Sequence, residues 1–424
     1  RLISTISHAF TMFPRHIETN FLEACSDTPV VLLNGARQTG KTTLVQHLAK
    51  EKLGASYVSL DDLTKLTAAK NDPVGFINQL KTPVIIDEVQ RAPEIFLPIK
   101  VSVDSNRVPG SFILTGSANV LTLPKLADSL VGRIEILTLW PLSQGEIEGK
   151  KEDFISEAFA EKMTQPSPSP LDRKELLERI LQGGYPAVLS RRTAESRRRW
   201  HESYRTTLLD RDVRDLSMIR GVNEFPKLLS VLATRTSSLL NLADISRNSG
   251  IQQDTLKRYY SLLQALFLIV ELPSWFANLG KRLIKAPKIA LADTGLWADI
   301  LGVELERLRN DPVLLGQSLE NFVVMELRKQ SGWSRRGVRI HHFRDLKNHE
   351  VDIVLEDRAG AVVGVEVKAA ATVAAGDFNS LRKLKEMTGA RFKRGVVLYT
   401  GTSATPFSDG LWALPIQCLW RGDA

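Results

Sequence analysis

The 424-residue sequence contains two cysteines, Cys25 and Cys418, which stand near opposite ends of the chain. This spacing excludes a CxxC pair and a four-cysteine zinc site. So few thiols predict a protein of the reducing cytoplasm. Long apolar runs are missing as well, because stretches such as Ala265–Val270 and Ala359–Val365 fall far short of the roughly 20 residues that a membrane helix needs. We therefore expect no membrane span and no membrane partner.

A secretion signal is also missing from the start of the chain. Residues 1–11 lack a basic region followed by an apolar stretch and a small-residue cleavage site. Met12 stands directly before Phe13-Pro14-Arg15. This context predicts that residues 1–11 are a tag scar or upstream read-through.

The overall charge is basic. Lys and Arg number 56 against 48 Asp and Glu, which leaves a net charge of +8 and a pI near 9.4. This balance favours a polyanionic partner such as a nucleic acid. Hydrophobic residues make up 43% of the chain and charged residues 25%, the composition of a folded globular protein. A chain of this length is expected to form roughly two to four domains.

Short apolar runs alternate with helix-length segments in the first third of the chain. Such strict alternation predicts a parallel α/β sheet that is covered by helices on both faces. A Pro/Ser-rich stretch over residues 162–170 then indicates an exposed loop. The predicted strands are Val30–Leu33, Ser56–Leu60, Val84–Ile86, Phe112–Leu114 and Ile134–Leu139.

Two further regions follow this loop. Apolar residues recur at helical spacing from Leu171 to about Leu272, which predicts an all-helical module. Beyond Leu314, helices are predicted at Ser318–Lys329 and between Asp377 and Met387, in a second, smaller α/β domain. Its predicted strands are Val351–Leu355, Val362–Val367 and Gly395–Leu398. The predicted domains are residues 12–160, 171–300 and 313–424.

The first predicted strand leads directly into the P-loop pattern GxxxxGK[ST]. Backbone N–H groups of such a loop surround phosphates, and the following helix adds its positive N-terminal end. Lys41 would reach the β- and γ-phosphates of ATP, and the Thr42 hydroxyl would ligate Mg²⁺. The residues predicted to bind the nucleotide are Gly35, Ala36, Arg37, Gln38, Thr39, Gly40, Lys41, Thr42 and Thr43.

Acidic and polar side chains follow two later strands. Asp87 and Glu88 end the strand at Val84, where Asp87 would hold Mg²⁺ and Glu88 would orient and deprotonate the attacking water. The next strand ends in a polar stretch that contains Thr115, Ser117 and Asn119. One of these three would reach the γ-phosphate or the attacking water, and a simple capped turn is the alternative.

These motifs resemble those of a bacterial and archaeal family of AAA+-like ATPases that carry a C-terminal domain of unknown function. The resemblance implies ATP binding, hydrolysis and the use of Mg²⁺. The segments that carry it are Gly35–Thr43, Asp87–Pro93, Leu114–Ser117, Gly132-Arg133, Pro141–Ser143, Gly183–Pro186, Tyr204, Asp210–Val213, Asp293–Leu296 and Glu320–Val323.

AAA+ ATPases often need an arginine at the γ-phosphate, which the same chain or a neighbour in a ring or dimer supplies. Arg133 is the first candidate, and Arg37 and Arg91 are the others. A surface salt bridge is the alternative for Arg133. Arg37, inside the P-loop, would either touch a phosphate or point into solvent.

The helical middle contains a pattern typical of a helix-turn-helix, within a winged-helix-like module. Leu242–Ile251 and Asp254–Tyr260 give two helices around a glycine-containing turn. A second basic feature is the Arg191–Arg214 tract, which either binds phosphates or forms a salt-bridged helix. The residues predicted on the outer face of the second helix are Gln252, Gln253, Thr255, Lys257 and Arg258.

Charged residues interrupt two apolar strands in the C-terminal region. Asp352, Glu366 and Lys368, preceded by Glu320 on a helix, resemble the pattern of the PD-(D/E)XK nuclease superfamily, although Val351 replaces the usual proline. This resemblance implies that Asp352 and Glu366 bind Mg²⁺, that Lys368 assists the water and that Glu320 completes the site. A structural ion-pair cluster or a remnant site that does not cut is the alternative.

Together these features predict an α/β P-loop ATPase of AAA+-like fold, followed by the winged-helix-like module and a nuclease-like α/β domain. We expect ATP turnover to drive the remodelling or cleavage of DNA, with DNA a better candidate than RNA. A signalling or stress-response switch with a non-cutting C-terminal domain is the alternative.

Overall fold

The computed structural model describes residues 12–118, 130–163, 171–217, 224–276, 285–345, 347, 349–408 and 410–420, and for residues 209–217 it gives the backbone. Residues 1–11, Asn119 and the Pro/Ser-rich residues 164–170 lie outside the described residues. Within the described part, no helix is long and apolar enough to cross a membrane.

The first sheet contains five parallel strands in the order β2-β3-β4-β1-β5. Val30 of β1 pairs with Phe112 of β4 on one side and with Ile134 of β5 on the other. The five predicted strands are confirmed. Their bounds are β1 Val30–Asn34, β2 Ser56–Ser59, β3 Val84–Asp87, β4 Phe112–Gly116 and β5 Ile134–Thr138.

Helices cover both faces of this sheet. Along β1, Val30 and Leu32 enter one hydrophobic core, whereas Val31 and Leu33 enter the other. This alternation explains why a strand buried on both sides is apolar at every position. The helices are α1 Glu18–Asp27, α2 Lys41–Leu48, α3 Leu63–Asn71, α4 Pro73–Asn78 and α5 Phe96–Ser105.

The middle of the chain is mostly helical. Its helices are α6 Gln144–Glu148, α7 Phe154–Phe159, α8 Arg173–Gln182, α9 Pro186–Leu189, α10 Ala194–Ser217, α11 Phe225–Thr234, α12 Leu242–Ser249, α13 Gln253–Ala265, α14 Thr294–Leu301 and α15 Leu305–Asn310. The predicted two-helix pattern is present, because Gly250, with φ of 74°, ends α12 just before α13 begins.

The prediction of an all-helical module was wrong at its C-terminal end. Strand β6 (Ile269–Leu272) pairs antiparallel with β7 (Lys288–Leu291), so that Ile269 faces Leu291. Helix α13 ends at Ala265, and Phe267 adopts a φ of 58° that a helix cannot continue. The β-branched pair Ile269 and Val270 then favours an extended conformation over a further helical turn.

The C-terminal region forms a six-stranded sheet in the order β12-β13-β11-β10-β9-β8. The long helix α16 (Pro312–Ser331) precedes it, and helix α17 (Asn379–Thr388) connects β10 to β11. Strands β8, β9 and β10 are antiparallel neighbours, whereas β11 runs parallel to β10. The strands are β8 Arg339–Arg344, β9 Glu350–Glu356, β10 Val362–Lys368, β11 Phe392–Tyr399, β12 Thr405–Ser408 and β13 Leu411–Pro415.

The helical middle and the C-terminal sheet share one hydrophobic core. Phe154 of α7, Leu263 of α13, Phe322 of α16 and Trp420 near the end of the chain all belong to it. In addition, Ser274, just after β6, forms a parallel bridge with His342 of β8. These two regions therefore pack as neighbours along an extended joint.

Candidate active site

The P-loop lies at the carboxyl end of β1 and has an unusual backbone. Gly35 and Gly40 have φ of 145° and 96°, and Gln38 between them has φ of 62°. A Cβ atom on Gly35 would lie 2.2 Å from the backbone oxygen of Leu139, so only glycine fits there. The resulting curved loop ends at the N-terminus of α2, the arrangement that binds phosphate.

Lys41 is buried at the start of α2. Its Nζ atom donates to the backbone oxygens of Gly35 and Ala36, each at 2.8 Å. The side chain therefore lies along the inside of the loop. Its ammonium group is therefore next to the position that the phosphates of a bound nucleotide are expected to occupy.

Arg15 supports the loop from outside, and sequence reasoning missed it. Its guanidinium donates to the backbone oxygens of Thr39 and Trp140, both at 2.7 Å. It also donates to Glu146 Oε1 at 3.1 Å. No sequence motif indicates that Arg15 supports the P-loop, because Arg15 precedes β1 and its partners are distant in the sequence.

The Mg²⁺ ligands predicted from the sequence lie next to each other. The Thr42 hydroxyl donates to Asp87 Oδ2 at 3.0 Å, across the gap between the P-loop and the end of β3. The hydroxyl of Tyr57 donates to the same oxygen at 2.6 Å, and Thr115 donates to Asp87 Oδ1. A hydroxyl and a carboxylate are oxygen ligands that Mg²⁺ binds together with nucleotide phosphates. The residues present therefore fit a magnesium–nucleotide complex.

Tyr57 is a further contributor that the sequence motifs did not reveal. Burial and then the hydrogen bond to Asp87 raise the pKa of its phenol. The phenol therefore stays protonated and keeps donating to the carboxylate. Because β2 lies beside β3 in the sheet, Tyr57 lies opposite Ile85 and is close to the strand end.

Glu88 lies just beyond Asp87 in a left-handed backbone conformation, with φ of 61° and ψ of 46°. Its carboxylate accepts a hydrogen bond from Ser117 at 3.0 Å and another from Gln90. Gln90 also donates to Ser117 Oγ at 2.9 Å. These contacts hold the carboxylate at the edge of the candidate nucleotide site.

The structure separates the roles of the polar residues at the carboxyl end of β4. The Thr115 hydroxyl contacts Asp87 and accepts from the Glu88 N–H at 3.2 Å, so it positions the end of β3. Ser117 instead contacts the Glu88 carboxylate. Both residues therefore contact the acidic pair, and a contact of one of them with the γ-phosphate or the attacking water stays a prediction.

Arg133 does not reach the nucleotide site of its own chain, so the site of a neighbouring chain and a surface salt bridge are the predicted roles that stay open. Arg133 directly precedes β5, and its backbone oxygen accepts from Val30 at the start of β1. It therefore lies at the opposite edge of the sheet from the P-loop, about 16 Å away for a five-residue strand. Its side chain pairs with Asp104. Arg91 is likewise paired, with Asp61.

Comparisons with known proteins match the chain in three parts. Residues 27–148 match the family model described as AAA domain. Residues 173–307 match Domain of unknown function (DUF8612), and residues 315–419 match Domain of unknown function (DUF4143). The first match spans the P-loop, Asp87 and Glu88, and the parallel sheet has the arrangement of a P-loop NTPase core.

Residues 27–148 form an AAA-class P-loop ATPase domain.

Two curated relatives and several solved structures are similar to this ATPase chain. Uncharacterized proteins of Mycobacterium bovis and Mycobacterium tuberculosis are each 28% identical over 389 residues, which cover 91% of this chain and 80% of theirs. The Walker-type ATPase of Pyrococcus abyssi has a TM-score of 0.45 at 15% identity, over 68% of this chain and 96% of that one. AMPPCP-bound DnaA of Aquifex aeolicus has a TM-score of 0.27 at 15% identity, over 58% of this chain and 85% of that one.

The ATPase domain contacts the helical middle beside its P-loop. The Tyr204 hydroxyl on α10 donates to the backbone oxygen of Arg37 at 3.3 Å. It also lies 3.2 Å from the hydroxyl of Tyr185, and the ring of Tyr204 stacks on Trp200. Helix α10 therefore contacts the backbone of the P-loop directly.

Three of the six tract arginines whose side chains are described pair with neighbouring acids. Arg198 pairs with Glu304 at 3.0 Å, Arg199 with Glu195 at 2.6 Å and Arg205 with Asp299 at 3.5 Å. As far as side chains are described, the tract is thus closer to a salt-bridged helix than to an open phosphate-binding stripe. The side chains of Arg211 and Arg214 lie outside the described residues.

The second helix of the two-helix pattern presents the polar side chains expected from the sequence. Gln252, Gln253, Lys257 and Arg258 are exposed, and Thr255 is half-buried. Leu256, Tyr259 and Tyr260 on the other face are buried. This face of α13 is therefore open to an external partner.

The structure brings the predicted C-terminal metal ligands Asp352 and Glu366 together, because their side chains contact each other through a hydrogen bond. Among the described residues, no group of three His, Cys, Asp or Glu side chains is arranged to hold a metal ion. Glu320 and Asp352 instead face the ammonium group of Lys288, and Glu350 joins them. Glu366 contacts Lys368 at 3.9 Å. Sequence reasoning missed Lys288 and Glu350, since neither belongs to the Glu-x-Lys pattern.

Proposed function

We propose that this protein is a Mg²⁺-dependent ATPase whose turnover acts on DNA without cutting it. The observation that carries the first part is the contact between Thr42 and Asp87 beside the P-loop, with Glu88 held next to them. The metal ligands, the phosphate-binding loop and the general base Glu88 therefore lie together at the carboxyl ends of the strands. Nucleotide binding alone would not require the general base.

Each residue has a distinct task in this proposal. The P-loop amides of residues 35–43 and the Lys41 ammonium bind the phosphates, and Thr42 and Asp87 hold Mg²⁺ with its waters. When bound, the ion neutralises charge on the phosphates and orients them. Glu88 accepts the proton of the attacking water, and Ser117 and Gln90 keep its carboxylate in position.

An arginine from a second copy of the chain would complete this site. Arg133 lies too far from the P-loop of its own chain, so it can serve only the site of a neighbour in a ring or dimer. Arg37 is the alternative within the chain, since it belongs to the P-loop itself. We therefore propose a homo-oligomer as the active form.

DNA is the partner that the exposed face of α13 favours. Two glutamines and two cations on one helix face match the mixture of base-edge and phosphate contacts that a recognition helix makes. The antiparallel pair β6 and β7 follows this helix, as in a winged helix. The contact from Tyr204 to the P-loop would transmit the nucleotide state to this module.

The division into domains 12–160, 171–300 and 313–424 belongs to the same proposal. We assign the third domain a binding role rather than nuclease activity, although the order of α16 and strands β8 to β10 is that of the nuclease-like pattern. The contacts of Lys288 with its carboxylates favour this choice. A signalling switch with the same non-cutting domain is the second candidate.

Two substitutions test the hydrolysis mechanism. Lys41→Ala should abolish both nucleotide binding and turnover. Glu88→Gln should still bind ATP but turn it over about 100- to 10,000-fold more slowly, because it removes the base and not the phosphate contacts. Glu94→Gln, an exposed acid in the next segment, is the matched control. Wild-type turnover by Glu88→Gln would refute the assignment.

A further inference from the structure

A buried ammonium group lies where the sequence pattern predicted a metal ion. Lys288 Nζ is 2.8 Å from Glu320 Oε1, 2.6 Å from Glu350 Oε1 and 3.6 Å from Asp352 Oδ1. The lysine side chain is only 3% exposed. Three carboxylates therefore converge on a single nitrogen atom.

The lysine and the carboxylates come from different parts of the molecule. Lys288 begins β7, where it pairs with Leu272 of β6. Glu320 lies on helix α16, whereas Glu350 and Asp352 lie on strand β9 of the C-terminal sheet. The contact thus joins the small antiparallel sheet to the helix and sheet that follow it.

Two of the three carboxylates lie within hydrogen-bond distance of Lys288. An ammonium group has three N–H donors and no acceptor, and Glu320 and Glu350 face it closely, whereas Asp352 adds a longer ionic contact. The second oxygen of Asp352 is used as well, because it accepts from the Val367 N–H at 2.9 Å. A metal ion would need these same oxygens at about 2.0 to 2.6 Å from one point, which the lysine nitrogen now occupies.

The electrostatic environment keeps this lysine charged. Burial alone would lower the pKa of Lys288, but the negative charges of Glu320, Asp352 and Glu350 outweigh it and raise the pKa. The same positive charge, after burial, lowers the pKa of the neighbouring His342 to about 4. A neutral histidine and a charged lysine therefore lie side by side at this joint.

We infer that Lys288 takes the place of the metal ion at the Glu320, Glu350 and Asp352 cluster. The cluster is thereby closed to divalent cations and serves as an ionic joint between β7 and the C-terminal sheet. Removing the ammonium group should leave three adjacent carboxylates, with Arg344 still 3.7 Å from Glu350. Such a cluster should then bind a divalent metal ion.

Binding of Mn²⁺ to the full chain, measured by electron paramagnetic resonance without nucleotide, tests this inference. All variants carry Asp87→Asn so that the ATPase site loses its carboxylate ligand for the metal ion. We expect the Asp87→Asn chain to bind no Mn²⁺ that depends on Asp352. Adding Lys288→Met should create one Mn²⁺ site, and further adding Asp352→Asn should remove it.

Lys285→Met is the matched control, because it removes an exposed lysine three residues earlier. It should create no Mn²⁺ site. Failure of a folded Lys288→Met chain to bind Mn²⁺ would overturn the inference. If the Lys288→Met variant does not fold, the Asp87→Asn chain is compared with the Asp87→Asn, Asp352→Asn chain. Mn²⁺ binding by the first chain that the second chain lacks would contradict a cluster filled by lysine. Absence of such binding would support the inference.

This test is independent of the ATPase and DNA proposals. Its readout is metal bound to the C-terminal cluster, and ATP turnover plays no part in it. A failure here would leave the roles of Lys41 and Glu88 unchanged. A loss of ATPase function in Glu88→Gln would likewise say nothing about Lys288.

Discussion

At the residue scale, Glu88 combines a strained backbone conformation with the proposed role of general base. Its φ of 61° lies in the left-handed region, which costs free energy for a residue with a side chain. The hydrogen bond from the Glu88 N–H to Thr115 and the contacts of its carboxylate with Ser117 and Gln90 hold this conformation. Neighbouring residues therefore fix the carboxylate before a substrate arrives.

Gly35 gives the sharpest steric prediction. Gly35→Ala should lower nucleotide affinity by at least about tenfold, because the added Cβ would lie 2.2 Å from the Leu139 backbone oxygen and would displace the loop. Titration with a fluorescent ATP analogue measures the change. Gly316→Ala in helix α16, where a Cβ has open space, should bind like the wild type. Equal affinity of the two variants would contradict the role assigned to Gly35.

The lowered pKa of His342 predicts that local stability near Lys288 depends on pH. Burial and the Lys288 charge lower its pKa to about 4, so the folded protein keeps His342 neutral while the unfolded chain is protonated below about 6.5. Local stability should therefore fall as the pH drops from about 6.5 to 4, by roughly 2 kcal/mol between pH 7 and pH 5.

Hydrogen exchange of strand β8 measures this effect. His342→Gln should lose less protection over Arg339–Arg344 than the wild type when both are compared at pH 7 and at pH 5. The comparison at equal pH removes the intrinsic dependence of exchange on pH. The same loss in both proteins would show that His342 is not the group responsible.

At the scale of elements, helix α13 carries the proposed DNA-binding face. Its other face packs in the shared core, which leaves the polar face exposed. Replacing both Lys257 and Arg258 by Ala should weaken binding to duplex DNA and reduce the salt slope of log K by about 2, one for each lost phosphate contact. Fluorescence anisotropy at several salt concentrations measures both quantities.

The control for this prediction removes the same charge elsewhere. Lys65 and Lys70 are exposed on helix α3 of the ATPase domain, and replacing both by Ala leaves α13 unchanged. Their loss should alter the salt slope little. If both double variants bind DNA alike, α13 is not the DNA-binding element.

Sequence reasoning predicted the elements whose residues alternate or run in clear apolar stretches. The three inner strands β3, β4 and β1 are apolar on both faces, so each stands out between polar segments. Strand β8, with two adjacent histidines, and the exposed edge strand β12, with Pro406, lack such a pattern. Strand β6 follows α13 so closely that its apolar residues continued the helical spacing.

The residues of the candidate nucleotide site could be predicted where the functional side chains directly follow a strand in the sequence. Lys41, Thr42, Asp87 and Glu88 stand at the ends of their strands, so a motif could find them. Lys288 and Arg15 act through contacts with distant segments, which no local pattern encodes. Arg133 is a different case, because a residue that precedes a parallel strand must lie opposite the carboxyl ends of the sheet.

At the scale of the whole molecule, the proposed function couples the nucleotide site to the proposed DNA-binding face of α13. The link runs from the P-loop through Tyr204 on α10 and the shared core to α13. The C-terminal sheet is fixed to this middle region by the Lys288 cluster and by the bridge between Ser274 and His342. Helix α13 and the nucleotide site should therefore influence each other.

The steady-state rate of ATP hydrolysis with and without duplex DNA tests this coupling most directly. We predict that DNA raises the wild-type rate several-fold at low salt and less at high salt, since phosphate contacts weaken as salt rises. The Lys257→Ala, Arg258→Ala chain should keep the basal rate but lose the stimulation. A wild-type rate that duplex DNA leaves unchanged at every salt concentration would contradict the account.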